Sequence, residues 1–225
     1  MTEHRALVIF GATSPIGARL AALAAAAGYR TYAVVRPGSD ALAAENAGAT
    51  ILRADALDAD ALAESLAAVP VGALFVSVLG GKPGGDGRVD WEGNRNAIDA
   101  AHARGAAHFL LLTTVGAGDS RSALPPPVLA ILGSLAEKKT LAEAHLKASG
   151  LTWTILRPGH LQAGEPTGRA VLVDDPRTLG AVQRADVATL MLRCLEHAAC
   201  RNRTFAVTDL DAVRSSHPVE PVTLD

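Results

Sequence analysis

Gly11 and Gly17 bracket Ala12-Thr13-Ser14-Pro15-Ile16 directly after an apolar run at 6–10, and this is the spacing from which a chain builds a phosphate cradle. Gly11 can take the sharp turn that leaves a strand, and Gly17 lets the following helix lie close to the sheet. The helix start then aims free N–H groups and the positive end of its dipole at a pyrophosphate. Pro15 suits a first helical position, where its missing N–H costs nothing. Gly11, Thr13, Ser14, Pro15, Ile16 and Gly17 are therefore candidate dinucleotide-binding residues. A Gly-rich stretch alone matches many chains by chance, so its sequel decides.

The sequel is a helix expected over 15–28, ending at Gly28, and then Tyr29-Arg30-Thr31-Tyr32-Ala33-Val34-Val35, a β-branched and aromatic strand. Together they complete a βαβ unit. At the tip of such a second strand an acid selects NAD through the ribose 2′-hydroxyl, whereas this chain presents Arg36. A guanidinium there suits a 2′-phosphate, so NADP(H) is preferred over NAD(H). The plain alternative for Arg36 is a solvated surface cation.

These residues need a scaffold, and the rest of the chain supplies its rhythm. Strand-like segments recur between helical ones at 6–10, 31–35, 50–53, 73–78, 108–113 and 152–156. Such alternation predicts an α/β fold with a doubly wound parallel sheet of Rossmann type. Near-continuous apolar strands such as Phe109-Leu110-Leu111-Leu112 fit a sheet covered on both faces. After residue 158 come a Gly/Pro-rich stretch at 160–168, a short strand at 169–173, a helix at about 186–197 and a strand at 204–208. We expect one domain over 1–208, with a small C-terminal substrate-side cap within 159–208. Residues 209–225, with Pro218 and Pro221, read as a surface tail.

Composition narrows the partners. A chain of 225 residues with 49% hydrophobic content can bury one full α/β core. A net charge of −2 gives no field to attract nucleic acid or an anionic bilayer. No apolar run reaches the length of a membrane span, and the first residues lack a signal-peptide core. The expectation is a cytoplasmic protein, monomer or small homo-oligomer, whose partner is a small-molecule substrate. Cys194 and Cys200 have neither CxxC spacing nor a clustered His pair, so they read as reduced thiols and no metal site is expected.

At this point the chain resembles the atypical short-chain dehydrogenase/reductase superfamily, within it the NAD(P)H-binding group that includes biliverdin IXβ reductase/flavin reductase and the NmrA-like proteins. Besides the cradle and Val34-Val35-Arg36, the resemblance is carried by Arg53-Ala54-Asp55-Ala56-Leu57, Gly93-Asn94-Arg95-Asn96, Leu112-Thr113-Thr114, the stretch from Ser149 to His160 and Met191-Leu192-Arg193-Cys194-Leu195. It covers about residues 5–208. It implies that Asp55 and Ala56 meet the adenine and that Val78, Leu79 and Gly80 line the cofactor, as does Thr113. Read without it, Asp55 is a helix cap or loop acid. The resemblance also implies that Pro158 and Gly159 form a turn beside the nicotinamide, that Asn94 points toward the cofactor and that Lys82 stands near the substrate pocket. Arg157 is read rather as pairing with an acid on a neighbouring element, and Asn94 has local bonding as its alternative. The Gly-rich then Pro-rich segment 116–127 is expected to border the substrate cleft as a loop or lid.

Two departures from the family pattern matter. Ser14 stands at the middle Gly of Gly-x-x-Gly-x-x-Gly, where a hydroxyl can donate to phosphate instead. Leu135 stands where the Tyr-x-x-x-Lys dyad has its tyrosine, although Lys139 is in place. The usual phenolic acid is thus missing. Thr114, Lys139 and His160 remain as the catalytic candidates, His160 also matching a pocket histidine of the family. The leading expectation is an NADPH-dependent reductase of a small conjugated acceptor such as a flavin, quinone, tetrapyrrole or enone, working largely by positioning. An NAD(P)-dependent isomerase or epimerase, and a non-catalytic NmrA-like redox sensor, stand as alternatives.

Overall fold

In the computed structural model, which describes residues 5–81, 85–215 and 217–224, β1 (Ala6–Phe10) is buried at every position. Its side chains alternate between two apolar layers: Leu7 and Ile9 join one, Val8 and Phe10 the other. The first layer is closed by α1 (Pro15–Ala26), α2 (Leu42–Asn46) and α6 (Arg184–Glu196). The second is closed by α3 (Ala59–Ser65), α4 (Asn94–Arg104) and α5 (Pro126–Ala148). In that second layer Phe10 lies between Phe75 and Phe109, with ring centroids 6.1 and 6.4 Å away.

The remaining strands of this sheet are β2 (Arg30–Val35), β3 (Thr50–Arg53), β4 (Leu74–Ser77), β5 (His108–Leu112), β6 (Trp153–Pro158), β8 (Ala170–Val173) and β10 (Arg203–Asp209). Their order is β3-β2-β1-β4-β5-β6-β10-β8, parallel except for β8, which runs antiparallel to β10. This is the doubly wound α/β fold read from the sequence. The chain reverses its direction of winding between β1 and β4, so a crevice opens above their carboxyl ends.

The region after residue 158 departs from the expected cap. β10 and β8 extend the main sheet and α6 covers it, because their apolar residues, among them Val187, Met191, Phe205 and Val207, enter the first core layer. Off that sheet stands a small parallel pair, β7 (His160–Gln162) with β9 (Ala181–Gln183), which sequence periodicity over three residues does not reveal. The tail also does more than lie on the surface: Pro221 bridges to Val173, the Val222 amide donates to the Leu172 carbonyl at 2.8 Å, and Val222 and Leu224 pack against the core. Cys194 and Cys200 are both buried with their sulfurs 2.9 Å apart. Their mutual hydrogen bond and burial raise the Cys194 thiol above its ordinary pKa.

A buried charge pair ties α5 to the sheet. Arg157 on β6 is 2% exposed and forks onto Glu143 of α5, Nε to Oε1 at 3.0 Å and Nη2 to Oε2 at 2.6 Å. Burial opposes the charge on Arg157, yet the hydrogen bond and charge of Glu143 outweigh it and hold the pKa above the usual value. Arg157 also donates to Asp119 in a 3₁₀ turn (Gly118–Ala123), and the Gly118 amide donates to Thr140 Oγ1 at 2.8 Å. The segment expected as a loop or lid is therefore anchored from beneath at these points. Replacing Glu143 by Ala leaves a guanidinium buried without its main counter-charge and should cost about 3 kcal/mol or more. Asp119→Ala removes a largely exposed partner and should cost about 1 kcal/mol or less, both read from urea unfolding midpoints.

Candidate functional site

The crevice above β1 and β4 is a cleft of about 420 Å³ walled by the carboxyl ends of four strands, with Gly11, Arg36, Asp55 and Val78 each contributed by a different one. Gly11 has φ +82°, a conformation natural to glycine, and a Cβ there would lie 3.1 Å from the Val78 side chain. Gly17 is more constrained: a Cβ would fall 2.4 Å from the Gly11 carbonyl oxygen and 2.8 Å from the Ala12 Cα. The start of α1 is thus held against the turn that leaves β1, with no room for a side chain. Ser14 caps this helix, its Oγ accepting from the Gly17 amide at 3.1 Å. The hydroxyl hydrogen remains able to donate into the cleft, which Ser14 and Thr13 line. The cradle therefore has the backbone shape and dipole that a pyrophosphate requires.

At one end of this cleft Arg36 follows β2, exposed on its wall. Arg53 holds the 36–39 turn from beside it, donating to the Ser39 carbonyl at 2.7 Å. Asp55 and Ala56 lie next to it beyond β3. One Asp55 oxygen accepts from the Leu57 amide at 2.9 Å, and the Ala56 carbonyl is fixed by Asn96 Nδ2 at 2.9 Å. Local bonding and a place on the cleft wall thus coexist at Asp55, while the cap of α3 is Asp58.

The other end leads past Val78, Leu79 and Gly80 into a second cleft of about 260 Å³. Leu79, Leu112, Leu135 and Leu161 make much of its wall, with Thr114, Lys139 and Arg184 among its polar groups. Lys139 is 7% exposed, its Nζ 3.0 Å from Asp90 Oδ1 and donating to the Leu79 carbonyl at 3.3 Å. Asp90 is wholly buried, and its other oxygen accepts from the Gly81 amide at 2.9 Å. One carboxylate thereby positions both the lysine and the backbone leaving β4.

Asp90 escaped the sequence reading. It sits on a π-helical turn (Val89–Gly93) that leads into α4, and such a turn changes which residues face inward. A visible signal was Asn94, four residues on. Its Nδ2 donates to the Asp90 carbonyl at 3.0 Å and its Oδ1 accepts from Ser77 at 2.6 Å, so Asn94 binds the end of β4 rather than the cleft.

The other candidates are placed as follows. The Thr113 hydroxyl turns away from the second cleft to donate to Glu143 at 2.7 Å, leaving its other atoms on the wall. Pro158 is buried at the end of β6, and Gly159 packs on β9's approach, where a Cβ would lie 2.2 Å from the Gly180 carbonyl oxygen. His160 is exposed on β7, its amide donating to the Gly180 carbonyl at 2.9 Å, and Leu161 beside it lines the cleft instead. Strand alternation sends neighbouring side chains to opposite faces, which accounts for the exchange. Lys82 lies outside the described residues.

Comparison with known proteins agrees with this geometry. A family model described as NAD(P)H-binding matches residues 11–198. The uncharacterized sugar epimerase YhfK of Bacillus subtilis (strain 168) is 31% identical over 212 residues, 90% of this chain and 94% of that protein. Sanguinarine reductase of Eschscholzia californica is 34% identical over 125 residues, 52% of this chain and 44% of that one. Among solved structures, ChuY, an anaerobillin reductase from Escherichia coli O157:H7, superposes with a TM-score of 0.83 at 32% identity, covering 92% of this chain and 98% of that one.

The closeness of α1 to β1 gives a direct test of the cradle. Gly17→Val must push the helix start off the Gly11 carbonyl and should abolish dinucleotide binding in calorimetry, with circular dichroism reporting whether the fold persists. Ser14→Gly, which removes the cap and one hydroxyl donor but leaves the backbone cradle intact, should be mild by comparison, since caps contribute about 0.5–2 kcal/mol and Gly is tolerated there. Normal binding by a folded Gly17→Val protein would place the cradle elsewhere.

Proposed function

The chain belongs to the NAD(P)H-binding family, and from that premise we propose that it is an NADPH-dependent reductase of a small, flat, conjugated acceptor. One observation carries the reading. The dinucleotide cleft continues, past Leu79 and Gly80, into a pocket whose wall sets Pro15, Ile16, Val78 and four leucines among five polar side chains, Ser14, Thr113, Thr114, Lys139 and Arg184. A conjugated ring system is held by such surfaces, and a few placed polar groups orient it. The reductase names of ChuY and of the Eschscholzia protein accord with this reading.

A bound NADPH supplies the hydride; the chain's residues orient the acceptor and keep water out. Gly11, Ser14 and Gly17 would hold the phosphates, and Asp55 and Ala56 would flank the adenine end. Leu79 and Leu135 are the apolar wall that ring faces would meet. Leu135 has no proton to give, so Thr114 and Lys139 are the polar groups nearest the acceptor, and Lys139 is kept on the Leu79 carbonyl by Asp90. Orientation rather than a strong general acid then carries the rate. His160, exposed on β7, takes no part in this scheme. An epimerase reading, favoured by the name of the Bacillus protein, requires the hydride to be returned and predicts no net NADPH consumption.

Arg36 on the cleft wall, with no acid beside it on β2's tip, supports NADP(H) over NAD(H). Its contact to a 2′-phosphate should be worth about 1.5–3 kcal/mol, so Arg36→Ala should bring the two cofactors' affinities together in calorimetry. Equal affinities in the unaltered protein would refute the preference.

Stopped-flow oxidation of bound NADPH by flavins, quinones and enones tests the activity itself. Accelerated oxidation is expected with at least one acceptor. Thr114→Val and Lys139→Met should each lower the rate by less than the ~10²–10⁴-fold that loss of a full general acid causes. Tight NADPH binding with no oxidation across the panel would instead identify a redox-reporting binder.

A further inference from the structure

Beyond Pro15 a third cleft of about 290 Å³ opens between the starts of α1 and α6. Arg19 of α1 and Arg184 of α6 line it, with Glu165 and Pro166 on the facing loop. Most arginines near acids are tied to them: Arg157 to Glu143, Arg88 to Glu92, Arg177 to Asp175, Arg169 to Asp211. Among the described residues the Arg19 and Arg184 guanidiniums have no hydrogen-bond or ion-pair partner, Glu165 included. Two cations against one acid leave this cleft net positive.

We infer that this cleft binds the anionic tail, carboxylate or phosphate, of the acceptor whose ring occupies the neighbouring leucine-walled pocket. Arg184 lines both clefts and so joins the two halves of one ligand site. The cofactor's pyrophosphate is served on the other side of Pro15, since Gly11, Thr13 and Ser14 wall the first cleft and are absent from this one. An anion between Arg19 and Arg184 therefore belongs to a second molecule. The guanidinium fork suits the planar carboxylate and the phosphate alike. The acceptor is accordingly an amphiphile, conjugated at one end and acidic at the other. This rests on the reductase reading for the word acceptor, but not for the site.

The test measures binding to the full chain saturated with NADP⁺, using matched pairs that differ only in charge. FMN against riboflavin asks for phosphate, and biliverdin against its dimethyl ester asks for carboxylate. At least one acid form should bind about 10-fold or more tighter than its neutral twin, the scale of one charged hydrogen bond. Arg19→Gln/Arg184→Gln should erase that difference while leaving the NADP⁺ dissociation constant within about 2-fold; the single exposed change Arg19→Gln should reduce it partway. Equal binding of the twins, no binding of any of the four, or a preference that survives in the double variant overturns the site. Loss of NADP⁺ affinity in proportion also overturns it, by assigning the arginines to the cofactor's own phosphates. Acid-selective binding without NADPH oxidation leaves the site standing and refutes the reductase reading instead.

Discussion

Charge that must be buried on one face of α5 governs the architecture around the cleft. Lys139 and Glu143 are four residues apart and both nearly excluded from solvent, so each needs an opposite charge at a fixed place. Glu143 finds Arg157 at the end of β6, and Lys139 finds Asp90 on the turn before α4. Two strand ends and two helices are locked by this requirement, which an apolar α5 would leave free to slide. The Thr113 hydroxyl, the 3₁₀ turn at Gly118–Ala123 and the backbone at Gly81 all take their positions from these pairs.

The consequence for chemistry lies in what the face of α5 exposes between those pairs. One turn before Lys139 stands Leu135, so the helix offers the pocket a leucine wall and an already engaged ammonium. A site of this kind gains rate by holding two flat systems together without solvent, and loses little if a single polar group is altered. The cradle at the other end is equally dependent on shape, because the 2.4 Å that a Gly17 Cβ would have to the Gly11 carbonyl leaves no tolerance for a side chain.

Much of this was legible in residue order. Both faces of the sheet are apolar, so strands such as β1 and β5 stand out as hydrophobic runs, and Gly11 and Gly28 mark the turns on either side of α1. Arg157, next to the strand-like run at 152–156, was readable as a cation pairing with an acid on a neighbouring element, and that acid is Glu143 of α5. What stayed hidden depended on phase or on distance. The π-helical turn shifts the inward face by a residue, which concealed Asp90; a three-residue strand gave no period from which to choose between His160 and Leu161. The pairing of Arg19 with Arg184 across a cleft joins residues 165 positions apart on two helices that only the folded chain brings together.

The residues at 221–224 bear on the outer edge of the sheet. A strand at the border of a sheet offers unpaired amides and carbonyls to any passing chain, and this sheet has two such borders, β3 and β8. β8 is spared by its own tail: Val222 takes the free Leu172 carbonyl, Leu224 is held by Arg193 Nη2 at 2.7 Å, and Pro221 has no amide with which to continue a ladder. The outer border therefore ends in a self-made hem. Residues 221–224 thus occupy the outer side of β8, and without them the Leu172 carbonyl and the backbone at Val173 would be left open as an adhesive edge.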